Sequence, residues 1–356
     1  MSKSMGNIID PLELIEKFGA DALRFTLTAL AAQGRDVKLS ESRIEGYRNF
    51  TTKLWNVARF CEMNDCRPTD GFDPTGVGLT VNRWIIGKIA EAEAAFSAAI
   101  GAYRFNNAAS ALYQFTWGTF CDWYVEFIKP ILQGGDEDAK AETRATAAWA
   151  LDQLLRLLHP IMPFITEELW EQLAENRTGP LITSAWPVFG GQLGDDEVNA
   201  EMDWVVRLIS QVRAVRSEMN VPPKARIPLL MKDAGEAVRV FMERHGDLIM
   251  RLARLERLDH LDGEVPKGAV QDVIGEATMI LPIAGVIDVA AEQARLEKEI
   301  AKLDGEVKRF EGKLSNEKFV ANAPEAVVET ERERLADACQ AREKMNEALG
   351  RLTAVG

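Results

Sequence analysis

Near the end of the chain, Leu296, Ile300, Leu303, Val307, Phe310 and Leu314 alternate spacings of four and three residues. An α-helix turns about every 3.6 residues, so this spacing lays six apolar side chains along one narrow stripe. Such a stripe needs a second helix to cover it. After a polar break from Ser315 to Pro324, Val328, Leu335, Ala338, Met345, Leu349 and Leu352 supply another seam. The break is short enough to turn the chain back on itself. The spacing therefore predicts an antiparallel coiled-coil hairpin over 291–356.

The rest of the chain also reads as mainly α. Asp10, Pro11 and Glu13 form a helix start of the capping-box kind, and Gly19 is placed to end that helix. A second helix is expected over Ala20–Ala31, with Leu23, Leu27 and Leu30 on one face. Phe50, Leu54, Val57 and Cys61 follow i, i+4, i+7, i+11, an apolar helix face. Further helices are expected over Trp84–Ala99, from Asn106 to about Leu132 ending near Pro130, over Thr143–His159 and over Thr166–Ala174. Such an array with short links predicts an antiparallel bundle over 42–190, preceded by a segment 1–41.

Beyond a Gly-rich linker, Pro187 to Gly194, the pattern changes. A helix over Glu197–Glu218, an apolar run Ile227–Met231, a helix over Gly235–Leu252 and strand-like pieces follow. The strand-like pieces are Leu255–Leu261, Val270–Ile274, Ala277–Leu281 and Val286–Val289. They predict a small α+β domain over 191–290.

Composition excludes several classes. No apolar run approaches the roughly 18 residues that span a bilayer. Met1-Ser2-Lys3-Ser4-Met5-Gly6-Asn7 has no apolar stretch behind its lysine, so no signal peptide is read there, and with only four cysteines the chain is expected in the cytoplasm. Cys61 and Cys66 are the only close cysteine pair, the three histidines are scattered, and no metal site is expected. The formal charge of −13 argues against a general nucleic-acid binder, so any RNA site must be local.

Three groups of polar residues could carry chemistry. Ser2-Lys3-Ser4 sets a mobile cation between two hydroxyls beside Gly6, a combination able to wrap a polyphosphate. Read without context, four such residues at a terminus are better taken as an ordinary chain end. Asn49, Lys53, Asn56 and Phe60 form a polar stripe opposite the Phe50 stripe and end on an aromatic ring. Amides there could read base edges and Phe60 could stack on an unpaired base, with Arg43 and Arg48 upstream for phosphates. The alternative is a solvated face with one exposed ring. Arg207, Arg213, Arg216, Lys224 and Arg226 make a local basic patch in an acidic chain, or ordinary surface charge.

The motifs resolve these choices by resemblance. Ser2-Lys3-Ser4-Met5-Gly6-Asn7, then Ile9-Asp10-Pro11, then Gly19-Ala20-Asp21-Ala22-Leu23-Arg24-Phe25 resemble the signature loop and stem-contact helices of class I aminoacyl-tRNA synthetases. Cys121-Asp122-Trp123-Tyr124-Val125-Glu126 and His159 to Trp170 resemble the valine and isoleucine branches. Arg213 to Pro223 and Leu314 to Pro324 resemble the valine branch. The resemblance covers essentially the whole chain.

It implies a tRNA(Val)-recognition part of a valine–tRNA ligase, comprising an anticodon-binding helical bundle, the α+β domain and a coiled-coil arm on tRNA. Lys3 matches the family's catalytic lysine, with Ser2, Lys3 and Ser4 facing ATP. Arg43, Arg48, Asn49, Lys53, Asn56, Phe60, Arg213 and Arg216 are then expected on tRNA. Lys302, Lys308, Arg309 and Lys313 are the arm's candidate contacts.

The motif's first lysine, the nucleotide fold and the editing domain have no counterpart here. The resemblance thus implies an N-terminal truncation, with the catalytic half as missing partner and ATP with Mg²⁺ used by the full-length enzyme. This chain alone is expected to be a monomer that binds tRNA weakly, holds no cofactor tightly and catalyses nothing. The competing reading is a non-catalytic helical interaction protein derived from a synthetase.

Overall fold

A computed structural model describes residues 10–34, 39–174, 177–189 and 193–353. By its internal contacts the chain divides into two compact units, Met1–Met202 and Asp203–Gly356. No helix among the described residues is long and apolar enough to cross a membrane.

The first unit is helical. α1 (Pro11–Phe18) starts as its sequence dictates: the Asp10 carboxylate accepts from Leu12 N, and Pro11 takes the first turn. Gly19, at φ +89°, ends α1 and opens α2 (Ala20–Leu30). The face of α2 differs from the leucine stripe expected. Leu23 is buried, but Leu27 is exposed and Phe25 is the fully buried anchor. Leu14, Phe18, Ala22, Leu23 and Ile44 close one small core.

α3 (Glu41–Met63) buries Phe50, Leu54, Val57 and Cys61, the stripe its spacing predicts. α4 (Thr80–Gly101) and α5 (Phe105–Tyr113) follow. A π-helical stretch, Gln114–Tyr124, then runs without a break into α6 (Val125–Gln133). The helix ends where expected, near Pro130 and Gly134: Pro130 sits inside the last turn of α6, where its missing N–H costs one hydrogen bond, and the helix stops at Gln133 with Gly134 as its cap. α7 (Glu137–Leu158) begins on Asp136, whose carboxylate accepts from Ala139 N, and α8 (Pro163–Leu173) completes the bundle.

Two polar networks tie these helices together, one around Asn82 and one around Asp21. The Tyr124 hydroxyl donates to Asn82 Oδ1 at 3.0 Å, and Asn82 Nδ2 donates to Glu142 Oε1 and Thr143 Oγ1. The Glu142 carboxylate also accepts from Gly78 N and Leu79 N, capping the start of α4. Asp21, only 6% exposed, likewise accepts from Phe164 N and Ile165 N at the start of α8. Glu142, half-buried, and Asp21, buried, thus each supply a carboxylate to orphan N–H groups of a helix start.

α9 (Asp196–Glu218) leads into the second unit. There β1 (Ile227–Lys232), α10 (Glu236–Ala253), β2 (Leu255–His260), β3 (Ala269–Ile274) and β4 (Ala277–Pro282) build a four-stranded mixed sheet of order β2-β1-β4-β3. β1 and β2 are parallel, as a strand–helix–strand unit requires, and β4 is antiparallel to both its neighbours. Val286–Val289 is not the strand expected. Gly285, at φ +86°, turns the chain, and Asp288 caps the next helix through Ala291 N.

Gly268 is the tightest point of this unit. Its φ is +75°, its carbonyl accepts from Ile283 N and Ala284 N, and an added Cβ would stand 2.2 Å from the Ala284 Cβ. Gly268→Ala combines left-handed strain with overpacking, so a stability loss of about 2 kcal/mol is expected in urea unfolding. Wild-type stability in that variant would mean that the turn repacks freely.

α11 (Val289–Leu314) and α13 (Glu325–Thr353) form the antiparallel hairpin, with α12 (Glu317–Asn322) at its tip. Val307 and Phe310 pack on Ala338, flanked by Leu335 and Cys339. Lys313 pairs with the buried Glu331, and Arg342 pairs with Asp304. Partner numbers rise along one helix as they fall along the other, which fixes the direction. The base of the hairpin is tied down by Arg351 on Glu218 at 2.7 Å and by Arg295 and Asn220 on Glu292.

Candidate nucleic-acid interface

α3 positions the expected polar stripe. Arg43, Arg48, Asn49 and Asn56 are exposed, while Lys53 and Phe60 are half-buried. The exposed four have no side-chain hydrogen-bond partner among the described residues, so their donors face solvent. Arg59 joins them. It lies three residues after Asn56 on the same helix, exposed, and that spacing was the signal that the sequence reading passed over.

Lys53 is held differently. Its ammonium lies 4.3 Å from the centre of the Trp117 ring and pairs with Asp122. The cation over an aromatic face and the carboxylate together fix one rotamer of a side chain that would otherwise roam. Trp117 and Asp122 both come from the π-helical stretch. In sequence Asp122, Glu126 and Lys129 read as one surface set. In the structure Lys129 pairs with Glu126, while Asp122 turns to Lys53. Lys129 also lies 5.9 Å from the Phe60 ring. Both lysines of this face therefore carry their own counter-ion, which keeps its net charge low.

Behind the face lies an aromatic cluster. Trp117 stacks on Tyr113 with centroids 5.8 Å apart, and Tyr113 meets Phe50 at 5.0 Å and Tyr47 edge-on at 5.7 Å. Burial holds the phenols of Tyr47 and Tyr113 above their usual range, so both stay neutral hydrogen-bonding groups. Under the far end of α3 lie the thiols of Cys61, Cys66 and Cys121, all buried. Burial pushes the Cys121 thiol up to about 12. No group of three or more His, Cys, Asp or Glu residues among the described residues is arranged to hold a metal ion.

The expected basic patch of the second unit needs a correction. Arg216 is 7% exposed, and its guanidinium donates to the carbonyls of Ala225 (2.8 Å), Pro222 and Arg254. Arg213 Nε donates to Leu252 O and Arg226 Nη1 to Leu255 O. The Leu252 and Arg254 carbonyls lie at the C-terminal end of α10, where the helix leaves acceptors unpaired, and those of Pro222 and Ala225 belong to the turn before β1. Arg216 thus serves as a staple of the fold and not as a surface contact. Arg213 and Arg226 remain exposed beside it, as do Arg207 and Lys224. On the hairpin, Lys302, Lys308, Arg309 and Lys313 are exposed. The expected phosphate-facing residues Ser2, Lys3 and Ser4 lie outside the described residues.

Three families match the chain: "Anticodon-binding domain of tRNA ligase" over residues 82–231, "Valyl tRNA synthetase tRNA binding arm" over 288–353, and "tRNA synthetases class I (I, L, M and V)" over 1–40. The valine–tRNA ligases of Caulobacter vibrioides and Rhizobium meliloti are 52% and 51% identical to it over its full length. Over its full length the chain is similar to part of these valine–tRNA ligases. It spans 40% and 38% of the length of those two relatives. Among solved structures, it resembles part of the LeuRS–tRNA–LeuAMS ternary complex of Agrobacterium radiobacter K84, at 16% identity and a TM-score of 0.44. That match covers 78% of this chain and 30% of that one. The anticodon-binding match takes in Trp117, Asp122, Lys129 and Arg213, whereas the α3 residues Arg43 to Phe60 fall between two matched stretches.

Proposed function

We propose that this chain carries the tRNA(Val)-recognition surface of a valine–tRNA ligase, the enzyme class that attaches valine to tRNA with ATP. The observation that carries this reading is the row of solvent-facing donors on one side of α3, Arg48, Asn49, Asn56 and Arg59, with Arg43 exposed on another side of its first turn. In an acidic chain such a row is a local RNA-facing strip. Its arginines hold phosphates, its amides read base edges, and Phe60 offers a stacking face to an unpaired base. Lys53 enters already oriented on Trp117. Arg213 and the hairpin cations Lys302, Lys308, Arg309 and Lys313 extend the contact to other parts of the tRNA. The working segments are then 1–41, 42–190, 191–290 and 291–356.

Lys3, flanked by Ser2 and Ser4, is proposed to stabilise the charge that develops on departing pyrophosphate when ATP with Mg²⁺ is used. The chain is proposed to act as a monomer in the cytoplasm.

Retention of tRNA(Val) and of a non-cognate tRNA across a salt series tests the reading. Preference for tRNA(Val), with affinity falling as salt rises, is the expected result. Equal or absent binding at low salt would overturn it. In the same assay, Asp122→Asn removes the counter-ion of Lys53. It should raise affinity for both tRNAs by up to about fivefold near 0.1 M salt and so narrow the preference. An unchanged affinity would place Lys53 outside the interface.

A further inference from the structure

We infer that the cleft between α2, α3 and α5 is a seat for one unpaired nucleobase of the bound tRNA, distinct from the Phe60 end of α3. The inference rests on the tRNA-binding reading above and adds a second point of base contact to it.

The cleft has a volume of about 290 Å³ and is lined by Phe25, Tyr47, Asn106, Asn107, Ser110 and Tyr113 among others. That volume is just below the range of roughly 300–1,000 Å³ usual for small-molecule sites, so it suits a flat heterocycle better than a bulky cofactor. Two kinds of group meet there. The first is aromatic. Tyr47 and Tyr113, both half-buried, stand at 85° to each other along the cleft wall, and the fully buried Phe25 backs them 4.8 Å from Tyr47. The second is the pair of carboxamides on α5. Each presents N–H donors beside a carbonyl acceptor, the complement of a base edge. Neither carboxamide has a hydrogen-bond partner among the described residues, although Asn106 is half-buried. An aromatic wall beside unpaired amides is the combination by which proteins hold splayed-out bases.

The electrostatics agree. None of the lining residues named above is a carboxylate, and the two phenols stay neutral. Arg43, one turn before Tyr47 on α3, acts on the Tyr47 phenol and is exposed, which places a cation at the rim for the phosphate of the seated nucleotide. Distance separates this seat from Phe60. Tyr47 and Phe60 are thirteen residues apart on one helix, about 20 Å along its axis, which is too far for one base. Trp117 and Lys53 occupy the interval. The two ends of α3 would therefore engage different nucleotides of one RNA.

The test uses the full chain, ¹⁵N-labelled, titrated with AMP, CMP, GMP and UMP at millimolar concentrations. Side-chain amide signals of Asn106 and Asn107 are assigned by replacing each residue. Saturable shifts with at least one nucleotide, and none with ribose 5-phosphate, are expected. The Asn106→Ala/Asn107→Ala variant, with its melting temperature checked, should bind tRNA(Val) about tenfold more weakly. Silence of both amides with all four nucleotides would overturn the inference. So would amide shifts accompanied by unchanged tRNA(Val) affinity in the double variant. If the unaltered chain fails to retain tRNA(Val), the tRNA reading fails on that result alone, and the nucleotide titration still decides whether the cleft accepts a base.

Discussion

Asp152→Ala should lower stability by about 3 kcal/mol, the largest effect expected of any single substitution considered. Arg177 meets Asp152 in a two-pronged pair, with both Nη–O distances at 2.7 Å. Both side chains are more than four-fifths buried. The guanidinium also lies 3.5 Å from the centre of the Trp170 ring, and its Nε donates to Trp170 O. A second cation, Arg156, stands on the same ring at 5.2 Å. Without Asp152, two guanidinium groups would share a nearly dry site with no counter-ion. The cost comes from the stranded charges more than from the lost bond. Joint replacement of the pair by apolar residues, Asp152→Leu with Arg177→Met, should therefore recover most of the loss. Urea unfolding followed by tryptophan emission measures both, and a loss under about 1 kcal/mol in Asp152→Ala would mean that water reaches the pair after all.

The second large effect concerns RNA. Each phosphate contact to unpaired strands releases about 0.7 of a counter-ion, so near 0.1 M salt one contact is worth about fivefold in affinity. Replacing Arg43, Arg48 and Arg59 together by alanine should weaken tRNA(Val) binding about a hundredfold and flatten the salt dependence by about two counter-ions. All three side chains are exposed and support nothing else among the described residues, so thermal stability should hold. Loss of affinity with an unchanged salt slope would point to a folding defect instead.

Period and punctuation explain which parts of this architecture the sequence revealed. Phe50, Leu54, Val57 and Cys61 announced α3 because burial on one helix face leaves a visible repeat. The hairpin seam was legible for the same reason, and Asp10 and Gly19 mark helix ends by cap chemistry that is local to the chain, whereas the Asp288 cap lay hidden inside the strand expected over Val286–Val289. What escaped depends on distant partners. On α2 the leucines suggested the wrong face, because Phe25 is drawn into an aromatic cluster formed with Tyr47, Phe50 and Tyr113. Arg216 looked like surface charge because nothing in the pattern of the sequence announces that the carbonyls of Pro222, Ala225 and Arg254 converge on it. Trp117 is 64 residues from Lys53 in the chain, and only the fold brings the two together.

The π-helical stretch has a further consequence. It places Trp117 and Asp122 opposite Lys53 by carrying a wider turn than its neighbours α5 and α6. Removing one residue from Gln114–Tyr124 would tighten it toward an ordinary helix and rotate one flank against the other by about 100°. Trp117 and Asp122 could then no longer both face α3, even with every remaining side chain intact. In this stretch the residue count itself is part of the site: substitutions change what α3 meets, whereas a single deletion changes whether the two helices meet in register at all.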